Sequence, residues 1–252
     1  MISRQTLQAA IDTELRVDAF KDYTINGLQV EGQETIGRVL TGVTACQALL
    51  DEAVAWGADT VLVHHGYFWK NEPVSVTGMK RRRFATLLRH DLNLFAYHLP
   101  LDAHISLGNN ACLERRLGFN VERCLDGELG QGLLWMGVPD AELDSRALAA
   151  RIEKVLGRAP MLIEGHSGVI RNVAWCTGGA QDMLPLAAEA GADAFISGEI
   201  SERTTHMARE MGITYLAAGH HATERDGIQA LGDWLVKRFG VEHRFVDVDN
   251  PA

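Results

Sequence analysis

Two adjacent histidines, His64 and His65, follow the β-branched apolar run Val61–Val63 and precede Gly66. An imidazole can move protons or bind a metal, so the pair matters if both rings reach one point. Successive side chains within a strand point to opposite faces and cannot converge. At a strand's end, where a glycine lets the backbone turn, they can. The C-terminal edge of a parallel strand is also where open α/β folds carry their chemistry. Taken alone, the pair reads as one core histidine and one solvated histidine.

An internal repeat changes that balance. The stretch ACQALLDEAVAWGADTVLVHHG (Ala45–Gly66) has a counterpart in GAQDMLPLAAEAGADAFISGEI (Gly179–Ile200). Each has an amphipathic helical segment, a Gly-Ala-Asp stop, a short apolar strand and then polar residues. Gly57 and Gly191 suit the left-handed position past a helix end, and Thr44 with Gln47 predicts a capping box. Strand-like runs precede both helices, RVLTGVT (Arg38–Thr44) and NVAWCTG (Asn172–Gly178). The parallel extends to LNLFAYHLPLD (Leu92–Asp102) and GITYLAAGHHATE (Gly212–Glu224). In both, a strand ends in a histidine with a carboxylate four residues later: His98 with Asp102, and His220 with Glu224. The repeat predicts two interlinked, pseudo-symmetric α/β lobes. Residues 1–125 form the first, with the final strand 240–252 returning to it, and residues 126–239 form the second.

His64, His65, His98, Asp102, Glu199, His220 and Glu224 are thus all expected at strand ends facing one cleft between the lobes. Imidazole with carboxylate suits zinc, iron, manganese or cobalt, and the absence of nearby thiolates speaks against a closed structural zinc site. The set exceeds what one catalytic ion uses. Two ions about 3.5–4 Å apart, sharing a bridging carboxylate, would employ it.

Composition narrows the partners. The 252 residues carry a net charge of −9, with acidic residues spread along the chain. That argues against nucleic acid as the main partner, and the one basic run, Lys80–Arg83, reads as a solvated helix face. Four scattered cysteines lack paired spacing, no run reaches a membrane span, and the N-terminal stretch has the Leu7/Ile11/Leu15 spacing of an amphipathic helix. A cytoplasmic location is expected. CTGGAQ (Cys176–Gln181) reads as a tight strand–helix turn rather than a phosphate loop. Tyr67, Phe68 and Trp69 can wall a planar base or be buried at a subunit contact. Ser197 and Ser201 flank Glu199 without a serine-nucleophile pattern around them.

Five segments, NGLQVEG (Asn26–Gly32), GVTACQALLDEA (Gly42–Ala53), VHHGYFWK (Val63–Lys70), HLPLDAH (His98–His104) and AAGHHATER (Ala217–Arg225), together resemble one family. It is that of the GTP cyclohydrolase I type 2 homologues, also called NIF-three-like dinuclear metal-centre proteins, in their short bacterial form. The chain departs from it in DYTINGLQ, where a proline would precede Asn-Gly. The resemblance implies a NIF-three-like fold with two divalent ions per subunit, iron, zinc, manganese or cobalt. It implies His64, His65, Asp102, His220 and Glu224 as metal ligands, with His98 a neighbour able to shuttle protons and His221 structural. It also implies a homo-oligomer, a toroidal hexamer with its metal sites facing an internal cavity. The expected function is hydrolysis of a small nucleotide-like substrate by metal-activated water, with His98 or Glu199 moving protons. A ring opening, a deamination and a phosphoester cleavage all fit that machinery. A metal-binding scaffold without turnover is the alternative.

Overall fold

The computed structural model describes residues 1–252, and its internal contacts divide them into two units. The first comprises Met1–Leu101 and Gly227–Asp249, and the second Asp102–Asp226 and Asn250–Ala252.

The first unit begins with β1 (Ile2–Ser3) and α1 (Arg4–Leu15), followed by β2 (Gly27–Val30), β3 (Thr35–Ile36) and β4 (Arg38–Thr44). Then come α2 (Gln47–Trp56), β5 (Thr60–His65), α3 (Gly78–Arg89), β6 (Asn93–Ala96) and α4 (Leu99–Ala103), whose end lies in the second unit. In α1 the predicted stripe Leu7, Ile11 and Leu15 is buried, and the Ser3 hydroxyl accepts the Thr6 N–H at 3.1 Å as the N-cap. Strands β4, β5 and β6 run parallel, with β2 antiparallel on the outer side of β6. Leu40, Val61, Val63 and Leu94 of this sheet form a core with Leu49, Leu50 and Leu87 from α2 and α3.

The predicted capping box at α2 is absent. Cys46 is the N-cap and makes no side-chain cap bond. The Gln47 amide donates instead to Asp51 at 2.8 Å and Thr86 at 2.9 Å, and Thr44 turns its hydroxyl to His65.

The second unit holds α5 (Asn109–Leu117), β7 (Phe119–Cys124), β8 (Trp135–Pro139), α6 (Ser145–Leu156), β9 (Met161–Ile163) and β10 (Val173–Trp175). It continues through α7 (Leu184–Glu189), β11 (Ala194–Ser197), α8 (Glu202–Glu210), β12 (Thr214–Ala217) and the first turns of α9 (His220–Phe239). The strand order is β7-β8-β10-β11-β12-β9, parallel across β10, β11 and β12. Neighbouring residues in these three strands face opposite sides. Trp175, Ile196 and Leu216 join one core with α5 and α6, whereas Ala174, Phe195 and Tyr215 join another with α7 and α8. Covered on both faces, the strands read as continuous apolar runs.

The last strand, β13 (Glu242–Phe245), pairs parallel with β4 in the first unit's sheet. Residues 102–125, placed with the first lobe from sequence, pack in the second unit. Leu113 and Leu117 of α5 enter its core, and β7 pairs with β8.

The internal repeat is written in hydrogen bonds. In the first unit Gly57 takes φ 71° past α2, and Asp59 accepts the N–H groups of Gly37 and Arg38, each at 2.7 Å. In the second, Gly191 takes φ 86° past α7, and Asp193 accepts those of Arg171 and Asn172 at 2.8 and 2.9 Å. Each Gly-Ala-Asp therefore ends a helix and ties the incoming end of the preceding parallel strand to the next. No helix is long and apolar enough to cross a membrane.

Candidate metal centre

His64 and His65 close β5, and their rings lie 4.5 Å apart despite being sequence neighbours. The backbone bends just after Gly66, where a Cβ would crowd the Gln29 side chain and the Ala96 Cβ at 2.7 Å. His98 follows β6 and brings a third ring to within 5.1 Å of His64 and 5.8 Å of His65. One ligand atom from each of the three lies within 4.8 Å of the others.

Hydrogen bonds orient these rings. His64 is fully buried and donates from Nδ1 to the Tyr97 carbonyl at 2.8 Å, which leaves its lone pair on Nε2. Nδ1 of His65 lies 3.3 Å from the Thr44 hydroxyl. Nδ1 of His98 meets both carboxylate oxygens of Asp22, at 2.9 and 3.2 Å. Asp22 also accepts from the Asn26 amide at 3.0 Å and the Leu99 N–H at 3.0 Å, while Asn26 accepts the His98 N–H at 2.7 Å. Burial alone pushes the Asp22 carboxyl up, but the hydrogen bond and charge of His98, with Asn26 and Leu99, hold it at about 2. Asp22 was not read from the sequence. It lies in an irregular loop, 76 residues from its partner, and no spacing connects them.

In the second unit, His220 starts α9 and Glu224 lies one turn on, with Nε2 3.1 Å from a Glu224 oxygen. Nδ1 of His220 meets Glu199 at 2.7 Å. Burial lowers the proton affinity of His220, but hydrogen bonds to and charges on Glu224 and Glu199 win and raise its pKa to about 9. Glu224 is 2% exposed, whereas the Glu199 side chain is 47% exposed. The CTGGAQ turn forms the floor. At Gly178, with φ 68°, a Cβ would lie 2.1 Å from a Glu224 oxygen and 3.1 Å from His220 Nε2. Asp102, also buried, accepts the Asn109 amide at 2.7 Å and the Thr177 hydroxyl at 3.3 Å through one oxygen. Neither Asn109 nor Thr177 carried a signal in sequence, because their roles depend on tertiary contact.

The remaining candidates stand in other surroundings. Ser197 is buried, donating to the Gly178 carbonyl at 3.0 Å and accepting the Ala180 N–H at 3.1 Å. Ser201 caps α8 in a reciprocal box with Thr204. His221 is buried beside His220, and Cys112 and Cys176 are buried thiols. Tyr67 turns inward onto Phe84, 5.3 Å between ring centres, so only Phe68 and Trp69 of the aromatic trio stay partly open.

The donor chemistry fits a divalent cation. Imidazoles such as His64, with Nδ1 held by an outer acceptor, and a buried carboxylate such as Asp102, held by Asn109 and Thr177, are what such ions require. Gly178 leaves space where the His220 and Glu224 ligand atoms meet.

Residues 2–251 match the family described as Duf34/NIF3 (NGG1p interacting factor 3). A Yersinia pestis protein named GTP cyclohydrolase 1 type 2 homolog is 54% identical over 247 residues, covering 98% of each chain. A Pseudomonas aeruginosa protein of the same name is 51% identical over 251 residues, covering 100% of this chain and 99% of its own. A solved structure described as protein ybgI, unknown function, superposes with a TM-score of 0.96 at 49% identity, covering all of both chains. With its mixed α/β fold matched throughout, the chain belongs to the Duf34/NIF3 family.

Proposed function

We propose that the protein is a metal-dependent hydrolase acting on a small, nucleotide-like molecule, with two divalent ions ligated by His64, His65, Asp102, His220 and Glu224. The observation carrying this reading is the convergence of His64, His65 and His98 within 4.8 Å, two of them with Nδ1 committed to an acceptor. Such commitment costs conformational freedom and gives the core nothing that a leucine would not, but it orients a ligand lone pair. Divalent ions held there supply Lewis acidity and lower the pKa of water toward neutrality.

The protein's own groups do the rest. Asp22 holds His98 in one orientation and compensates any positive charge that the ring acquires, so His98 can take or return a proton at Nε2. Glu199, partly exposed and bonded to His220 Nδ1, can relay a proton to solvent. Asn109 and Thr177 fix the Asp102 carboxylate. The relatives' name points to nucleotides as the first substrates to try.

The test is to reconstitute the purified chain with zinc, iron, manganese or cobalt and assay nucleotides, phosphoesters and cyclic amides. Turnover that a chelator abolishes and Glu224→Ala removes is the expected result. Full metal occupancy with no turnover across the panel would make the protein a metal-binding scaffold.

A further inference from the structure

We infer that a pocket of the first unit, walled by Tyr23, Ile25, Phe68, Trp69, Lys70 and Val74, is a subsite for a nucleobase whose phosphate is met by Lys70. The inference rests on the proposed function, since it names what selects the substrate there. The cavity measures about 430 Å³, within the range of small-molecule sites.

The pocket is built, not incidental. Its two strips of chain are fastened to one another by an antiparallel bridge between Thr24 and Trp69. The Lys70 N–H donates to the Tyr23 carbonyl at 2.8 Å, and the Thr24 hydroxyl to the Phe68 carbonyl at 3.0 Å. Trp69 is tied further by its indole N–H, which donates to the Gly66 carbonyl at 3.2 Å. Little ordering is left for a ligand to impose.

The imidazole cluster lies directly behind its aromatic wall. Tyr23 and Trp69 each meet the His98 ring edge to face, with centres 5.0 Å away, and Trp69 lies 5.8 Å from His65. A flat ligand against these aromatics would therefore lie one layer of side chains from the groups that do chemistry. Tyr23 is 53% exposed, and Ile25 and Val74 are exposed beside it, an arrangement that water disfavours and a planar ring would cover.

Charge selects the ligand's other end. Asp22 spends its carboxylate on His98, Asn26 and Leu99. Lys80 lies over the Phe68 ring, 3.9 Å from Glu72, and donates to the Pro73 carbonyl. Lys70 is the exposed cation of the wall, suited to a phosphate. An apolar slot with a cation at its rim matches a nucleoside phosphate better than a sugar phosphate or a neutral amide.

The test titrates the full-length, metal-reconstituted protein with AMP, GMP and ribose 5-phosphate by calorimetry. At least one nucleotide should bind more tightly than ribose 5-phosphate. Trp69→Leu and Tyr23→Leu should each weaken that nucleotide about tenfold or more, the usual loss of a stacking contact, while ribose 5-phosphate affinity and metal content hold. Lys70→Ala should weaken nucleotide and sugar phosphate alike. Nucleotides binding no better than ribose 5-phosphate, or unaffected by both aromatic substitutions, would overturn the inference. So would a change in sedimented mass in those variants with nucleotide affinity intact, which would make the patch a contact between copies. Trp69-dependent nucleotide binding without hydrolysis would instead defeat the hydrolase reading and leave the subsite standing.

Discussion

Asp22 grips His98 through both carboxylate oxygens, at 2.9 and 3.2 Å from Nδ1. The geometry fixes the tautomer and aims Nε2 of His98 in the direction set by the rest of the loop. Asp22→Asn keeps the shape but removes the charge and one acceptor. Turnover of the metal-reconstituted protein should fall about 10- to 100-fold with metal content held, as is usual when a working group loses its outer partner. Unchanged turnover with an unchanged circular dichroism spectrum would reduce Asp22 to a loop clamp.

Gly178→Ala tests the floor of the second unit's site. The new Cβ would sit at φ 68° and 2.1 Å from a Glu224 oxygen, so the backbone must strain and the carboxylate must move. Stability in urea should fall by about 1–3 kcal/mol, and bound metal should drop with it. Full metal content in this variant would show that Glu224 has room to spare and holds no ion.

Which side chains hold metal is read by elemental analysis of folded variants. His220→Ala, Glu224→Ala and Asp102→Ala should each fall clearly below the wild-type content. His221→Ala should not. His98 stands in one cluster with His64 and His65, with Asp22 fixing its orientation, as the neighbour that carries protons. His98→Ala should keep most of its metal and lose turnover, and an emptied site would make His98 a ligand instead.

How legible all this was in the chain depends on range. Gly57 and Asp59 recur as Gly191 and Asp193, and the helix ends and strand ties they make are local, so the repeat could be read without coordinates. Leu7, Ile11 and Leu15 declared a helix by spacing alone. The site histidines were legible because two copies of one pattern ended in the same chemistry. Asp22, Asn109 and Thr177 were not, since each acts across the fold on a partner that no periodicity names. Helix α5 was assigned to the wrong core for a related reason, because an apolar face shows that a helix packs without showing on which sheet.

Metal uptake should release protons. With no metal bound, the two carboxylates around His220 overcome its burial and hold its pKa at about 9, so the ring is charged at pH 7.5. A metal must displace that proton. Calorimetric titration at pH 7.5 in buffers of different ionisation enthalpy should give a proton release that shrinks by close to one per chain in His220→Gln. An identical release in that variant would mean that His220 is not titrated by the ion.

His243 offers a pH dependence far from any metal chemistry. It sits on β13 with its side chain 6% exposed, donating from Nδ1 to Asp233 at 3.0 Å and accepting at Nε2 from the Thr41 hydroxyl at 2.8 Å. Burial disfavours the imidazolium and outweighs the hydrogen bond and charge of half-exposed Asp233, so its pKa is lowered in the folded chain. The unfolded chain therefore takes up this proton first as pH falls. By linkage, the neutral ring's contribution to stability is complete above the ordinary histidine value of about 6.5 and is lost progressively below it. Thermal melts in the presence of a chelator, at pH 7.5 and pH 5.5, should show a smaller acid-induced loss in His243→Gln than in the wild type. Equal losses in the two would mean that His243 accepts its proton in place, with Asp233 compensating the charge in full.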